Sequence, residues 1–235
     1  MPELMLLSNS RMPGGEPFAW AQDFFASSWV AQVKTIALVP FAGVTLSWDD
    51  YLEYVAGAFP IHLVESVHAT SDPIDLAMSA DAIFVGGGNT FNLCSNLHAS
   101  GLVPVIREAV RSGKPYLGWS AGANAACPTL CTTNDMPIVQ PPTFEMLNLV
   151  PFQINPHYTN ERVPNHGGES RNDRIAEFLI ANPTRTVVGL PEGNLIQVSG
   201  SGANLLGTRD AIVFESGKDP SPVSPNSDVS YLISG

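Results

Sequence analysis

The chain has 235 residues, of which 44% are hydrophobic and only 14% charged, and it carries a formal net charge of −11. That length and apolar content allow a sizeable core in one large domain or two small ones. The acidic balance, with no run of Lys and Arg, excludes the basic surface that nucleic acid or an anionic membrane requires, and no apolar run reaches transmembrane length.

In chain order, residues 4–7 read as a first strand, and the residues around them lack the basic region and apolar length of a signal peptide. Residues 18–33 carry helical spacing, and 35–40 read as a second strand. Ser47 with Asp50 has the pattern of a capping box before Tyr51, Leu52 and Val55. Residues 61–64 and 82–85 read as strands, 101–111 as a helix, and 115–117 as another strand. Ser170 with Asp173 repeats the capping pattern before Ile175, Phe178 and Leu179, and 186–190 read as a strand. These strands are short and apolar throughout, as buried parallel strands are. The alternation predicts an α/β fold: a mostly parallel, doubly wound sheet with helices on both faces. After Asn194, runs 196–199, 204–207 and 211–214 are separated by Gly-containing turns and predict an antiparallel meander at one sheet edge. From Ser216 the composition turns to Gly, Pro, Ser and Asp, which predicts a weakly ordered tail over 216–235. No repeat or linker divides the chain, so a single domain over 1–235 is expected.

Ligands in such folds collect at the carboxyl ends of the strands, and there the polar clusters lie. Gly118-Trp119-Ser120-Ala121-Gly122 follows an apolar run and precedes small, helix-compatible residues, the strand–turn–helix setting of a nucleophile elbow. A serine on so sharp a turn holds a strained backbone, and its flanking glycines let strand and helix pack beside it. The Ala121 amide, at a helix N-terminus, is placed to receive a developing oxyanion. Gly86-Gly87-Gly88-Asn89-Thr90 follows another strand. It lacks both G-K-[ST] and a full G-x-G-x-x-G, so an oxyanion donor from this loop fits better than a phosphate cradle.

A serine nucleophile needs a base, and the base an orienting acid. Of the five histidines, His62 within a strand and His98 at a helix end read as structural. His157, just past the apolar 150–154, belongs at a strand exit. His166, beside Gly167 and Gly168, reads as a loop residue suited to touching substrate and ill suited to being a fixed base. Asp135, in a polar turn after the elbow helix, and Glu192, at another strand exit, compete for the third role. An α/β-hydrolase would place its histidine late in the chain, and here none follows His166, so the elbow is right while that fold is not. Cys94, Cys127 and Cys131 are an odd set with no secretion signal, which favours reduced thiols and a cytoplasmic location, and Cys127 with Cys131 reads as a pair of buried structural thiols rather than a metal half-site. No Cys or His pairing has metal-ligand spacing.

Six segments in order, Pro40-Phe41-Ala42-Gly43-Val44, Val85-Gly86-Gly87-Gly88-Asn89-Thr90-Phe91, Gly118 to Asn124, Thr132-Thr133-Asn134-Asp135-Met136-Pro137, Gln153-Ile154-Asn155-Pro156-His157 and Gly189-Leu190-Pro191-Glu192-Gly193-Asn194, together resemble peptidase E, the α-aspartyl dipeptidases. The likeness runs from about Leu4 to Phe214 and departs mainly near residues 12–18 and after 214. It implies a fold like the class I glutamine amidotransferases with serine in place of cysteine, cleavage of dipeptides with N-terminal aspartate, and no metal or other cofactor. Carried over by residue, it implies Ser120 as nucleophile and His157 as general base. Glu192 is favoured as the orienting acid, with Asp135 as a necessary neighbour or the alternative. Gly88 and Ala121 would supply the oxyanion amides. Arg171 would bind the substrate aspartate, with Asn89 and His166 as further substrate contacts. The partner implied is a small acidic dipeptide, with no nucleic acid and no membrane. Two other readings remain: a cyanophycinase-like serine hydrolase of the same fold acting on aspartate-containing polymers, and a non-catalytic amidotransferase-like binding domain.

Overall fold

A computed structural model describes residues 2–161, 165 and 167–234. Five parallel strands form its centre: β1 (Glu3–Leu7), β2 (Thr35–Val39), β3 (Leu63–Ser66), β4 (Ala82–Val85) and β5 (Tyr116–Trp119). Four of the five are buried almost end to end, whereas edge strand β3 is largely exposed. An apolar run with no polar alternation can be stable only where both sheet faces are covered. Two antiparallel strands, β8 (Leu195–Ser199) and β9 (Gly202–Leu206), extend the sheet beyond β1, and a short β12 (Ser227–Asp228) closes it, giving the order β12-β9-β8-β1-β5-β4-β2-β3.

A second sheet has the order β11-β10-β7-β6. It comprises β6 (Gln153–Pro156), β7 (Thr186–Leu190), β10 (Ala211–Glu215) and β11 (Ser221–Val223). Strands β6 and β7 run parallel with Pro156 opposite Leu190, so the residues that follow each strand emerge side by side.

The helices are α1 (Gln22–Ala26), α2 (Trp48–Ala58), α3 (Pro73–Ser79), α4 (Thr90–Ala99), α5 (Leu102–Arg111), α6 (Ala121–Ala125) and α7 (Arg171–Ala181). Ser47 caps α2 through the Asp50 amide, and Ser170 with Asp173 forms a full capping box on α7. Each such cap stabilises its helix by about 1 kcal/mol. No helix among the described residues is long and apolar enough to cross a membrane.

Four expectations are corrected in detail. The stretch 18–33 is not one helix: a 3-10 turn (Ala19–Ala21), the short α1 and a second turn (Trp29–Ala31) replace it. Phe18 has a left-handed φ of 57° that starts the break, and Ser27 and Ser28 turn their hydroxyls onto backbone carbonyls of α1, a local bonding that competes with helix continuation. The break lets Phe18 pack edge-on against Trp119 at 5.0 Å. Strand β3 begins at Leu63, so His62 lies just before it, its Nε2 against the Val30 carbonyl.

The three expected meander strands are divided between the sheets. Strands β8 and β9 pair at the edge of the large sheet, whereas β10 pairs with β7. Buried Asn194 causes the turn: its side chain bonds the Thr208 and Arg209 amides and the Arg209 carbonyl, redirecting the chain. The segment after Ser216 is integrated rather than loose. β11 pairs with β10, β12 with β9, and Val229 and Leu232 are buried. Counting its Gly, Pro, Ser and Asp overlooked those two apolar anchors.

Candidate active site

Five strand exits converge on one place, those of β1, β4, β5, β6 and β7. At the exit of β5, Ser120 takes φ 52° and ψ −113°. Such a conformation persists only when its surroundings over-determine it. Here the Ser120 amide donates to the Leu7 carbonyl at 3.0 Å, and its carbonyl accepts from the Asn124 amide at 3.0 Å. A Cβ on Gly118 would overlap the Gly122 carbonyl, and one on Gly122 would overlap that of Val85. Both elbow glycines are therefore required by contact, as well as by the turn. Asn124, wholly buried, ties the elbow helix to β6 by donating to the Ile154 carbonyl at 2.8 Å.

His157 leaves β6 with φ 52°. Ser120 Oγ lies 2.8 Å from His157 Nε2, and Glu192 Oε1 lies 2.7 Å from His157 Nδ1. A carboxylate only accepts, so Nδ1 carries the proton and Nε2 is left to accept from the serine hydroxyl. The parallel register of β6 and β7 places His157 and Glu192 at neighbouring exits, close enough for this contact.

Asp135 does not approach that ring. Its Oδ2 accepts from the Thr90 amide at 2.7 Å, the Thr90 hydroxyl at 2.6 Å and the Thr133 hydroxyl at 3.1 Å. It fixes the start of α4, directly after the Gly86–Asn89 loop, and so acts on the site through that loop. Asn89 caps the same helix through the Asn92 amide and donates to the Met136 carbonyl at 2.9 Å.

In the glycine loop, Gly88 has φ 137°, and a Cβ there would overlap the Ala42 carbonyl. Tyr51, buried and stacked on Trp119, donates to the Gly87 carbonyl at 2.8 Å. Burial holds its phenol well above the ordinary value, hence protonated and able to donate. A trans peptide sets its carbonyl and its amide hydrogen on opposite sides, so this bond fixes the direction of the Gly88 amide. Among the described residues, neither the Gly88 nor the Ala121 amide has an acceptor.

Arg171 opens α7 and donates from Nη1 to Asn155 Oδ1 at 3.0 Å. Asn155 is itself held by the Thr132 carbonyl and Asn134 Oδ1. Burial, and then the neighbouring Arg174, push the Arg171 guanidinium below its usual value. Its charge is thus partly desolvated, and among the described residues no carboxylate is bonded to it. His166 lies outside the described residues.

Sequence reasoning missed Ser8, Asn9, Tyr51, Asn124 and Asn155. Ser8 and Asn9 follow an apolar run as the recognised clusters do, and that signal was available. Cys131, expected to be buried with Cys127, is exposed. No cluster among the described residues groups three or more metal-binding side chains.

An α/β fold that lines up serine, histidine and glutamate at strand exits, with two free amides beside the serine, has the layout of a serine hydrolase. Comparison with known proteins narrows the class. The model of Peptidase family S51 matches residues 4–206. Peptidase E of Nostoc sp. is 44% identical over 238 residues, covering 98% of this chain and 96% of the relative. Peptidase E of Shigella flexneri is 45% identical over 223 residues, covering 94% and 97%. A candidate Peptidase E protein from Listeria monocytogenes EGD-e superposes with TM-score 0.64 at 25% identity, covering 88% of this chain and 98% of its own. A peptidase from an acI-B1 Actinobacterium has the same fold, with TM-score 0.68 at 17% identity over 97% of this chain and 96% of that one. The chain belongs to Peptidase family S51 and is a serine peptidase.

Proposed function

We propose that the chain is an exopeptidase that hydrolyses dipeptides with N-terminal aspartate through an acyl-enzyme on Ser120. The observation that carries the chemistry is the continuous hydrogen-bonded row Ser120–His157–Glu192. His157 Nε2 takes the serine proton as Oγ attacks the peptide carbonyl. The oxyanion forms against the Gly88 and Ala121 amides, each worth about 3–4 kcal/mol in comparable sites. Glu192 holds the Nδ1 proton and stabilises the imidazolium. His157 then gives its proton to the leaving amine. Water, activated by the same nitrogen, releases aspartate and restores Ser120.

The aspartate preference rests on Arg171 and on the family. A protein with net charge −11 repels an acidic substrate and needs a specific cation to hold it. Arg171 offers a planar fork to a carboxylate, anchored by a capping box and by Asn155. Asn89, beside the glycine loop, and His166 complete the substrate contacts in this reading. No step requires a metal or other cofactor. The net charge also supports a role without nucleic acid, and an odd set of three free thiols supports a cytoplasmic location.

The cleft containing Ser120 and His157 measures about 310 Å³. That is at the lower end for small-molecule sites and favours a dipeptide over a branched polymer. Incubating the purified protein with Asp-Leu and with a branched Asp–Arg polymer tests this. Release of free aspartate from Asp-Leu alone supports the reading. Turnover of the polymer alone would favour the cyanophycinase-like alternative. Failure of a fluorophosphonate to label Ser120, with neither substrate cleaved, would favour a non-catalytic domain.

A further inference from the structure

A dipeptide of this kind carries two carboxylates, and Arg171 accounts for only one. The other is the free carboxylate of the leaving residue. It lies within about one residue length, roughly 3.5 Å, of the scissile nitrogen, so whatever binds it must line the same cleft as Ser120.

Arg11 does. Among the described residues it is the one permanently charged side chain lining that cleft, together with Ser120, His157, Gly88 and Tyr54. Its guanidinium has no hydrogen-bond or ion-pair partner there. Nor does it sit on a loose loop. Buried Asn9 accepts the Gly193 amide at 2.9 Å and donates to the Arg11 carbonyl at 2.8 Å, tying the Arg11 turn to the residue after Glu192. Met12 packs over Gly193, and Ser10 Oγ accepts from Tyr54 at 3.3 Å. Arg11 thus follows β1, whereas Arg171 opens α7 and is held by Asn155 of β6, so the two cations belong to different elements.

We propose that Arg11 binds the free α-carboxylate of the residue that leaves, and so confines the enzyme to dipeptides. A longer peptide presents a neutral amide at that point and forfeits the charge-assisted bonds. This inference rests on the aspartyl dipeptidase reading and adds the determinant of substrate length.

The test compares Asp-Leu with Asp-Leu-amide, using wild type, Arg11→Ala, Arg11→Gln and Arg11→Lys. Wild type should favour the free acid by about tenfold or more in kcat/KM, the size of a charge-assisted contact. In Arg11→Ala and Arg11→Gln that ratio should fall towards one, mainly through a higher KM for Asp-Leu, and Arg11→Lys should keep part of it. The preference for Asp-Leu over Asn-Leu should not move. An unchanged acid-to-amide ratio in both neutral variants overturns the inference and leaves the aspartate reading standing. Loss of the Asp-over-Asn preference would assign Arg11 to the aspartate side chain and also overturn it. If wild type hydrolyses neither Asp-Leu nor its amide, the aspartate reading itself fails, and the inference with it.

Discussion

The buried hydroxyl of Ser8 accepts the backbone amide of His157 at 2.8 Å, across 149 residues of chain, while donating to the Leu190 carbonyl at 2.8 Å. One side chain at the exit of β1 thus fixes the left-handed turn that aims His157 and the strand end that carries Glu192. Ser8→Ala leaves the His157 amide without its acceptor, at a cost of about 1–3 kcal/mol at most, while the Leu190 carbonyl keeps the Tyr158 amide at 3.0 Å. We expect a lower Tm together with a fall in kcat at little-changed KM, read by calorimetry and steady-state kinetics. An unchanged kcat would mean that the His157 turn holds without Ser8.

The two acids should separate cleanly. Glu192→Gln disturbs the tautomer of His157, and by analogy with triad aspartates kcat should drop about 10⁴-fold. Asp135→Asn instead weakens the clamp on Thr90. Its main effect should be loss of about 1 kcal/mol of stability, seen as a Tm lower by about 2–4 °C, with a smaller loss of kcat. A larger kcat loss for Asp135→Asn than for Glu192→Gln would contradict the geometry described above.

Selectivity should depend on the fork of Arg171 as well as its charge. Arg171→Lys keeps the charge and loses bidentate bonding, and Arg171→Ala loses both. Hydrolysis of Asp-X should fall in each, more in alanine, with the ratio of Asp-X to Asn-X falling in parallel. Equal kcat/KM for Asp-X and Asn-X in wild type would remove Arg171 from this role.

The thiols should differ sharply in reactivity. Burial pushes Cys94 up to about 11 and Cys127 up to about 12, so little thiolate forms at either at pH 8. Cys131 is exposed. A thiol reagent at pH 8 should therefore label Cys131 in the folded protein and all three cysteines after denaturation. Rapid labelling of Cys127 in the native state would contradict its burial against Ala123 and Ile154.

Much of this site was legible because its chemistry follows strand exits. The elbow glycines, the Gly86–Gly88 loop, His157 and Glu192 each come directly after an apolar run, and a parallel sheet gathers such positions at one end. The choice between Glu192 and Asp135 could not be read from residue type. It depends on β6 lying beside β7, a pairing made across the whole of residues 157–185. Ser8 escaped notice because its partners, His157 and Leu190, lie 149 and 182 residues away, and Arg11 because the other residues of its cleft come from distant parts of the chain. Residues 18–33 misled through composition: their aromatic spacing is helical, yet Phe18 and the paired serines bend the chain to fill space against Trp119. In the tail, two apolar residues, Val229 and Leu232, outweigh a composition typical of loose chain.

The most direct test of the account is the rate of Asp-Leu hydrolysis by wild type and by Ser120→Ala, measured on protein shown by circular dichroism to be folded. Ser120 sits at a partly exposed elbow, so its hydroxyl contributes little to packing. The account predicts aspartate release by wild type and a loss of kcat of about 10⁶-fold in the variant, as for other serine nucleophiles. Comparable turnover of Asp-Leu by folded Ser120→Ala would contradict it.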